Sequence, residues 1–261
     1  MENGLNTGIK AFDEMVGEVQ LGELIVIAGR PSMGKTTLAL QILAKNCMDK
    51  KCLYLSTIDN ITMSFDNIIC ILGNLNRYEH EKEVWESLDK VITNKLNKTL
   101  HLWTFDFDFI SFCVALTKLK TEKGLDYLFI DGFQLFFPKI SADLRATWLK
   151  DLAQTLQITI FITSQMKRSY DCDRIDCTTV NYHLYTMADK VLGVYRKDYF
   201  MTIKDMEKIK KGESFLSAVK NNKGKQGALT EYFNYARCAF RENFIEEDWY
   251  KSTQNILSTQ D

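Results

Sequence analysis

Strand-length apolar runs alternate along this chain with longer stretches whose apolar positions recur at helical spacing. That alternation predicts a parallel sheet covered by helices on both faces, because a parallel strand needs a long crossover to return to the same edge. Leu24 to Ala28 reads as a buried strand, and Thr36 to Met48 as a helix with Leu38, Ile42 and Leu43 on one face. Cys52 to Ser56 is a second strand; Ile61 to Leu75 and Lys82 to Leu96 read as helices, broken by the polar stretch Asn74 to Glu81. Leu100 to Thr104 follows as a strand and Phe109 to Lys123 as a helix that Gly124 can cap. Tyr127 to Ile130 is a strand closed by Asp131, Leu144 to Leu156 a helix, and Ile158 to Thr163 and Lys190 to Tyr195 two more strands. Beyond them, Phe215 to Val219 and Leu229 to Phe240 have the composition of hairpins joined by NNKGKQG.

The two prolines, Pro31 and Pro138, and the lack of a linker rich in Pro, Gly or Ser leave nothing to divide the 261 residues. They read as one α/β domain, with residues 242–261 as a C-terminal tail. A net charge of -1 excludes a protein that coats nucleic acid by bulk charge, so any contact with DNA must come from a local patch. The charge-dense segment Ile203 to Glu213 reads as an exposed helix or loop. Seven scattered cysteines fit a reducing compartment, and Cys172 and Cys177 lack both the spacing and the second pair of a zinc site. No stretch approaches the roughly 18 apolar residues of a membrane span. With no leader-like opening, a cytoplasmic location without membrane contact is expected.

The stretch richest in chemistry is LIVIAGRPSMGKTT, Leu24 to Thr37. Gly29 to Thr36 fits G-x-x-x-x-G-K-[ST] at every fixed position, with a strand before it and a helix after it. Glycines let the backbone wrap a phosphate with its N–H groups, and the helix start adds its positive dipole end. The expected nucleotide-binding set is therefore Gly29, Arg30, Pro31, Ser32, Met33, Gly34, Lys35, Thr36 and Thr37. Lys35 would reach the β- and γ-phosphates of ATP, and the Thr36 hydroxyl would ligate Mg²⁺. Such a metal needs an acidic ligand at the C-terminal end of a buried strand beside the first one, and Asp131 in YLFIDGF meets that need. Farther on, IFITSQM ends a strand with Ser164 and Gln165; a glutamine there can touch a γ-phosphate or a water.

AGRPSMGKTT resembles the Walker A segment of replicative DNA helicases of the DnaB type, a branch of the RecA-like ATPases. The likeness continues through GLNTGIKAFDEMV, EKGLDYLFIDGFQLF, ITIFITSQMKRS, MADKVLGVYRKDYF and AVKNNKGKQGALTEYFNYARCAF, and so spans residues 4 to 241. It implies a RecA-like P-loop NTPase fold: a mostly parallel central sheet, helices on both faces and a C-terminal β-hairpin extension. It also implies a hexameric ring that binds ATP between neighbours, grips single-stranded DNA in its central hole, and couples hydrolysis to translocation or unwinding in DNA replication. By residue, the resemblance assigns phosphate contact to Lys35, metal contact to Thr36 and Asp131, sensing to Gln165, a role across the subunit boundary to Lys220, and a place near the nucleotide to Arg196. Lys167, Arg168 and Arg174 after the sensor would suit a DNA loop. On the same resemblance the chain opens directly on the motor domain, without the family's amino-terminal primase-interacting domain.

Two departures stand against these agreements. Where the family has F-S-L-E-M, this chain reads LSTID, so Ile58 takes the slot of the glutamate that polarises the attacking water. Asp59 can substitute only if the strand has ended or bulged there, because adjacent strand residues point to opposite faces. Where the family has K-Q-R-N-G, this chain reads KNNKG; Asn222 takes the slot of the arginine finger and Lys223 follows it. A lysine brings charge without the planar fork. A positioned base contributes about 10²–10⁴ in rate and an arginine finger about 10³–10⁵, so losing both would spare binding and slow turnover by decades. The competing expectation is a nucleotide-binding regulatory or structural module with weak or absent hydrolysis.

Overall fold

The computed structural model describes residues 5–57, 61–78, 92–94, 96–166, 179–200, 212–234 and 236–242. Ile58, Asp59, Lys167, Arg168, Cys172, Arg174 and Cys177 lie outside these residues, as do most of the expected helix over 82–96, the stretch 203–211 and the tail beyond Glu242. The helices are α1 (Lys10–Val16), α2 (Lys35–Asn46), α3 (Ile61–Gly73), α4 (Phe109–Lys123), α5 (Ala142–Leu156) and α6 (Tyr182–Met187). The strands are β1 (Leu24–Gly29), β2 (Cys52–Ser56), β3 (Leu100–Thr104), β4 (Tyr127–Asp131), β5 (Thr159–Gln165), β6 (Lys190–Arg196), β7 (Glu213–Asn221), β8 (Gly227–Asn234) and β9 (Ala239–Arg241).

They form one sheet in the order β3-β2-β4-β5-β1-β6-β7-β8-β9. Pairing is parallel from β3 through β6 and antiparallel from β7 onward. Parallel pairing needs helical crossovers, which this part of the chain supplies, whereas the short connection NKGKQ between β7 and β8 leaves no room for one and makes that pair an antiparallel hairpin. One feature differs from the sequence expectation: β4, which ends in Asp131, is not beside β1, because β5 lies between them. The carboxylate still reaches the helix that follows β1, since all these strands run in one direction and end at the same rim.

Alternation along each strand sorts the apolar side chains onto two faces. Ile25, Ile27, Tyr54, Phe129 and Phe161 join α1, α2 and α3 in one core, with the Phe129 and Phe161 rings stacked 4.6 Å apart. Leu24, Val26, Leu53, Leu55, Leu128 and Ile130 join α4, α5 and α6 in the other. In α4, Phe112, Leu116 and Leu119 form the buried stripe; Asp108 caps its start by accepting from Ser111 N, and Gly124 closes it at φ 80°. The buried Arg145 guanidinium on α5 lies 4.3 Å from the Phe133 ring centroid and donates to the carbonyls of Phe133 (2.6 Å) and Phe136 (2.8 Å), which fixes the turn after β4.

Glu231 on β8 is 3% exposed, and its Oε2 has no hydrogen-bond partner. Burial, with a smaller push from Glu242, raises its carboxyl from 4.5 to about 7. The folded protein therefore keeps a proton that the unfolded chain sheds, so stability present below 4.5 is lost as pH rises through about 7. Glu231→Gln is expected to raise the melting temperature at pH 8, by on the order of 1–3 kcal/mol of stability, and to do little at pH 4. Thermal melts of both proteins across this pH range check it; a variant less stable at pH 8 would count against a strained, ionised carboxylate.

Candidate functional site

The loop between β1 and α2 is shaped by three close approaches. At Gly29 a Cβ would sit 2.6 Å from the Val194 carbonyl oxygen of β6. At Gly34 the backbone is left-handed (φ 94°), and a Cβ would meet the Phe240 ring at 2.8 Å. Ser32 is also left-handed (φ 62°), and the Met33 N–H donates to the Arg30 carbonyl at 3.4 Å, so the loop curls tightly; successive left-handed turns of this kind are the backbone of anion-binding nests. Met33 is fully buried, and its sulfur accepts from Arg196 N at 3.2 Å. Arg30, Pro31, Ser32, Gly34 and Thr37 complete the curl into α2.

Lys35, the first residue of α2, donates from Nζ to the Arg30 carbonyl at 2.7 Å and so spans its own loop. Burial lowers its pKa from 10.5 to about 8, with Asp131 opposing the shift. The Thr36 hydroxyl donates to Asp131 Oδ2 at 2.8 Å. Asp131 is 1% exposed and also accepts from Tyr54 at Oδ2 (3.0 Å) and from Thr163 at Oδ1 (2.5 Å). Thr163 in turn accepts from Gly132 N, which ties the end of β4 to β5. A hydroxyl and a carboxylate are hard oxygen donors of the kind Mg²⁺ takes alongside phosphate oxygens. Among the described residues no group of three or more His, Cys, Asp or Glu side chains could hold a metal. The donor set therefore fits a metal shared with a phosphate better than a metal held by protein alone.

Gln165 ends β5 exposed and in register with Gly29, and its carbonyl accepts from Gln134 Nε2 at 3.1 Å. Arg196 ends β6 behind the loop. It is 3% exposed, donates to the Ser32 carbonyl at 3.3 Å and lies 4.5 Å from the Phe233 ring centroid. Lys35, Thr36, Asp131, Gln165 and Arg196 thus share one rim. Lys220 and Lys223 do not: β7 runs back, pairing Asn221 with Lys190, whose parallel partner on β1 is Ile25. That level is roughly 13 Å of strand from Gly29, at the other end of the sheet. There Lys220 Nζ donates to the carbonyls of Tyr185 (2.9 Å) and Thr186 (3.1 Å), and Lys223 meets Gln20 and Glu23. Asn222 is exposed and donates its backbone N–H to Asp189 O. Sequence reasoning missed Tyr54 and Thr163; the signal available was a hydroxyl at the inward positions of otherwise apolar strands.

A glycine-bearing loop between a strand and a helix, facing a strand-end carboxylate across an intervening strand, is the arrangement of a RecA-like P-loop domain. Residues 4–242 match the DnaB-like helicase C terminal domain family, and the chain belongs to that family. It is 28% identical over 260 residues to the replicative DNA helicase DnaB of Buchnera aphidicola subsp. Schizaphis graminum, covering 88% of this chain and 54% of that one. It is 28% identical over 270 residues to a probable plasmid replicative DNA helicase of Chlamydia psittaci, covering 95% and 57%. The chain thus spans about half the length of the curated relatives it matches. Among solved structures, an ATPase domain superposes with a TM-score of 0.76 at 20% identity, over 92% of this chain and 91% of that one. A DnaB-like replicative helicase whose structure was described with its interactions with primase gives 0.74 at 21% identity, over 91% and 61%. Both likenesses bear on the fold. Among the described residues, no helix is long and apolar enough to cross a membrane.

The lowered Lys35 pKa has a measurable consequence. At pH 8 about half of the free protein carries a neutral Lys35, and a bound triphosphate restores its charge. Calorimetric titration of ATP at pH 8, in buffers of different ionisation enthalpy, is expected to show uptake of up to about half a proton per site; at pH 6.5 Lys35 contributes almost none, and loss of the proton on the part-protonated terminal phosphate turns the balance toward release. Equal uptake at both pH values would contradict a desolvated lysine.

Proposed function

We propose that this chain is the ATP-binding motor domain of a replicative-helicase-like protein, coupling ATP hydrolysis to translocation on single-stranded DNA or to duplex unwinding. The observation that carries this reading is the 2.8 Å contact between the Thr36 hydroxyl and Asp131 at the mouth of a loop curled left-handed at Ser32 and Gly34. Residues Gly29 to Thr37 cradle the phosphates, and Arg196 braces that cradle from behind. Lys35 exchanges the Arg30 carbonyl for phosphate oxygens. Thr36 and Asp131 would hold Mg²⁺, which when bound supplies neutralisation of phosphate charge. Gln165 senses the γ-phosphate and, through the turn after β4, passes its presence to the segment beyond β5.

The site is completed by a second copy. Lys220 and Lys223 sit at the end of the sheet opposite their own phosphate loop, which supports a head-to-tail homo-oligomeric ring, six copies by family analogy, in which one protomer's lysines face its neighbour's nucleotide. Water activation falls to Asp59, since Ile58 cannot take a proton. If Asp59 fails in that role, the chain is instead a nucleotide-binding module that hydrolyses weakly, and Ile58 and Asn222 are what favour that second reading.

The experiment is ATP turnover with and without single-stranded DNA, beside Lys35→Ala and Ile58→Glu. The unmodified chain is expected to bind ATP and to turn over faster with DNA; Lys35→Ala is expected to lose both. Ile58→Glu is expected to raise turnover by at least about tenfold if residue 58 occupies the base slot and Asp59 does not fill the role, given the 10²–10⁴ a positioned base contributes; no change discards that alignment. ATP binding without turnover under any condition would select the module; no binding at all would overturn both.

A further inference from the structure

Glu23 lies just before β1, with a side chain 5% exposed between two cations. Lys190, the first residue of β6, is 1% exposed; its Nζ is 3.8 Å from Glu23 Oε2 and donates to Asn221 Oδ1 at 3.1 Å. Lys223 reaches the same carboxylate from the exposed β7–β8 connection, with Nζ 3.7 Å from Oε1 and a hydrogen bond to the Gln20 side chain. Glu23 Oε2 also accepts from Gln20 N at 3.1 Å, whereas Oε1 is buried without a hydrogen bond. One carboxylate thus faces two ammonium groups of unlike freedom: Lys190 is locked in the sheet, and Lys223 is 56% exposed at its side chain.

A buried carboxylate that lost its only cation would be left uncompensated, which makes such a pair hard to open. Glu23 escapes that constraint, because Lys190 stays when Lys223 leaves. The exposed pair between Lys223 and Glu23 is correspondingly weak. We propose that Glu23 and Gln20 form a docking site that holds Lys223 retracted on its own chain, from which it swings out to the nucleotide of a neighbouring protomer. This rests on the trans role of Lys223 given under the proposed function. It adds the retracted position and the residues that define it.

The test uses the full chain and Gln20→Ala, a change at an exposed side chain that leaves the Glu23–Lys190 pair in place. Lysines are acetylated with limiting acetic anhydride and followed residue by residue by mass spectrometry, with Lys10 and Lys118, 85% and 70% exposed, as internal references. Gln20→Ala is expected to speed acetylation of Lys223 by about two- to tenfold, the range of one net hydrogen bond, with Lys10 and Lys118 unchanged. ATP turnover is measured on the same proteins: Gln20→Ala is expected to raise kcat at constant KM, and the gain is expected to vanish in Gln20→Ala/Lys223→Ala. An unchanged Lys223 acetylation rate overturns the docking site while leaving the trans role standing. Faster acetylation with kcat indifferent to Lys223→Ala overturns the trans role, and with it any use for the retraction.

Discussion

The geometry at the rim turns on one carboxylate. Asp131 is almost wholly buried, so its oxygens must be met by donors; it takes them from three elements, Thr36 on α2, Tyr54 on β2 and Thr163 on β5. Each of those side chains is fixed by a strand or helix of the core, so the distance between Thr36 and Asp131 is set by the packing of both faces and not by a loop. A buried polar group satisfied in this way specifies a unique arrangement, because losing any one partner leaves a buried polar atom unmet in an apolar setting. Intervening β5 is part of the device: through Thr163 it grips Asp131 and Gly132 together, and through Gln165 it ends beside Gly29. The strand that carries the proposed sensor is therefore the strand that braces the proposed metal ligand.

Much of this was legible in the sequence, and for a physical reason. Parallel strands buried on both faces must be apolar throughout, so Leu24 to Ala28, Cys52 to Ser56 and Tyr127 to Ile130 stand out without any knowledge of their neighbours. The glycine-bearing loop after β1 is equally plain, because Gly29 and Gly34 are demanded by a carbonyl and a ring at contact distance, and no other residue fits. What could not be read was order across the sheet. Strand pairing depends on where each crossover returns, and an apolar run carries no mark of its neighbour; β4 was expected beside β1 and lies one strand away. Helices α1 and α6, of 7 and 6 residues, are too short to repeat a periodic face, and they hold their places through Asp13 on Thr7 and Asn181 on His183 and Leu184. Helix boundaries shifted by a residue or two, as at α2, where the left-handed Gly34 starts the helix on Lys35.

The two ends of the sheet are unlike in charge chemistry. The rim with the phosphate loop gathers Lys35, Arg196 and one carboxylate, an arrangement biased toward an anion. The opposite end is balanced: Lys150 meets Asp189 at 2.5 Å, Lys190 and Lys223 share Glu23, and Lys220 spends its charge on the Tyr185 and Thr186 carbonyls. Neutral pairing there is what lets cations cluster at the start of a buried sheet without destabilising it. The two ends are therefore unlike surfaces of a single chain, and in the proposed head-to-tail assembly an anionic nucleotide would lie between them.

That polarity bears on the two missing family residues. Lys223 stands directly after Asn222, and the Glu23–Lys190 pair is intact without it. In the proposed trans role, a lysine one residue along would reach from a different backbone position than the arginine, and its single charged head would lack the two-pronged grip of a guanidinium. Under the proposed trans role, such a contact would donate charge but fix less geometry. Such a site depends more on the cradle and on Asp131 for alignment, which fits the density of hydrogen bonds that the rest of the fold commits to that one carboxylate.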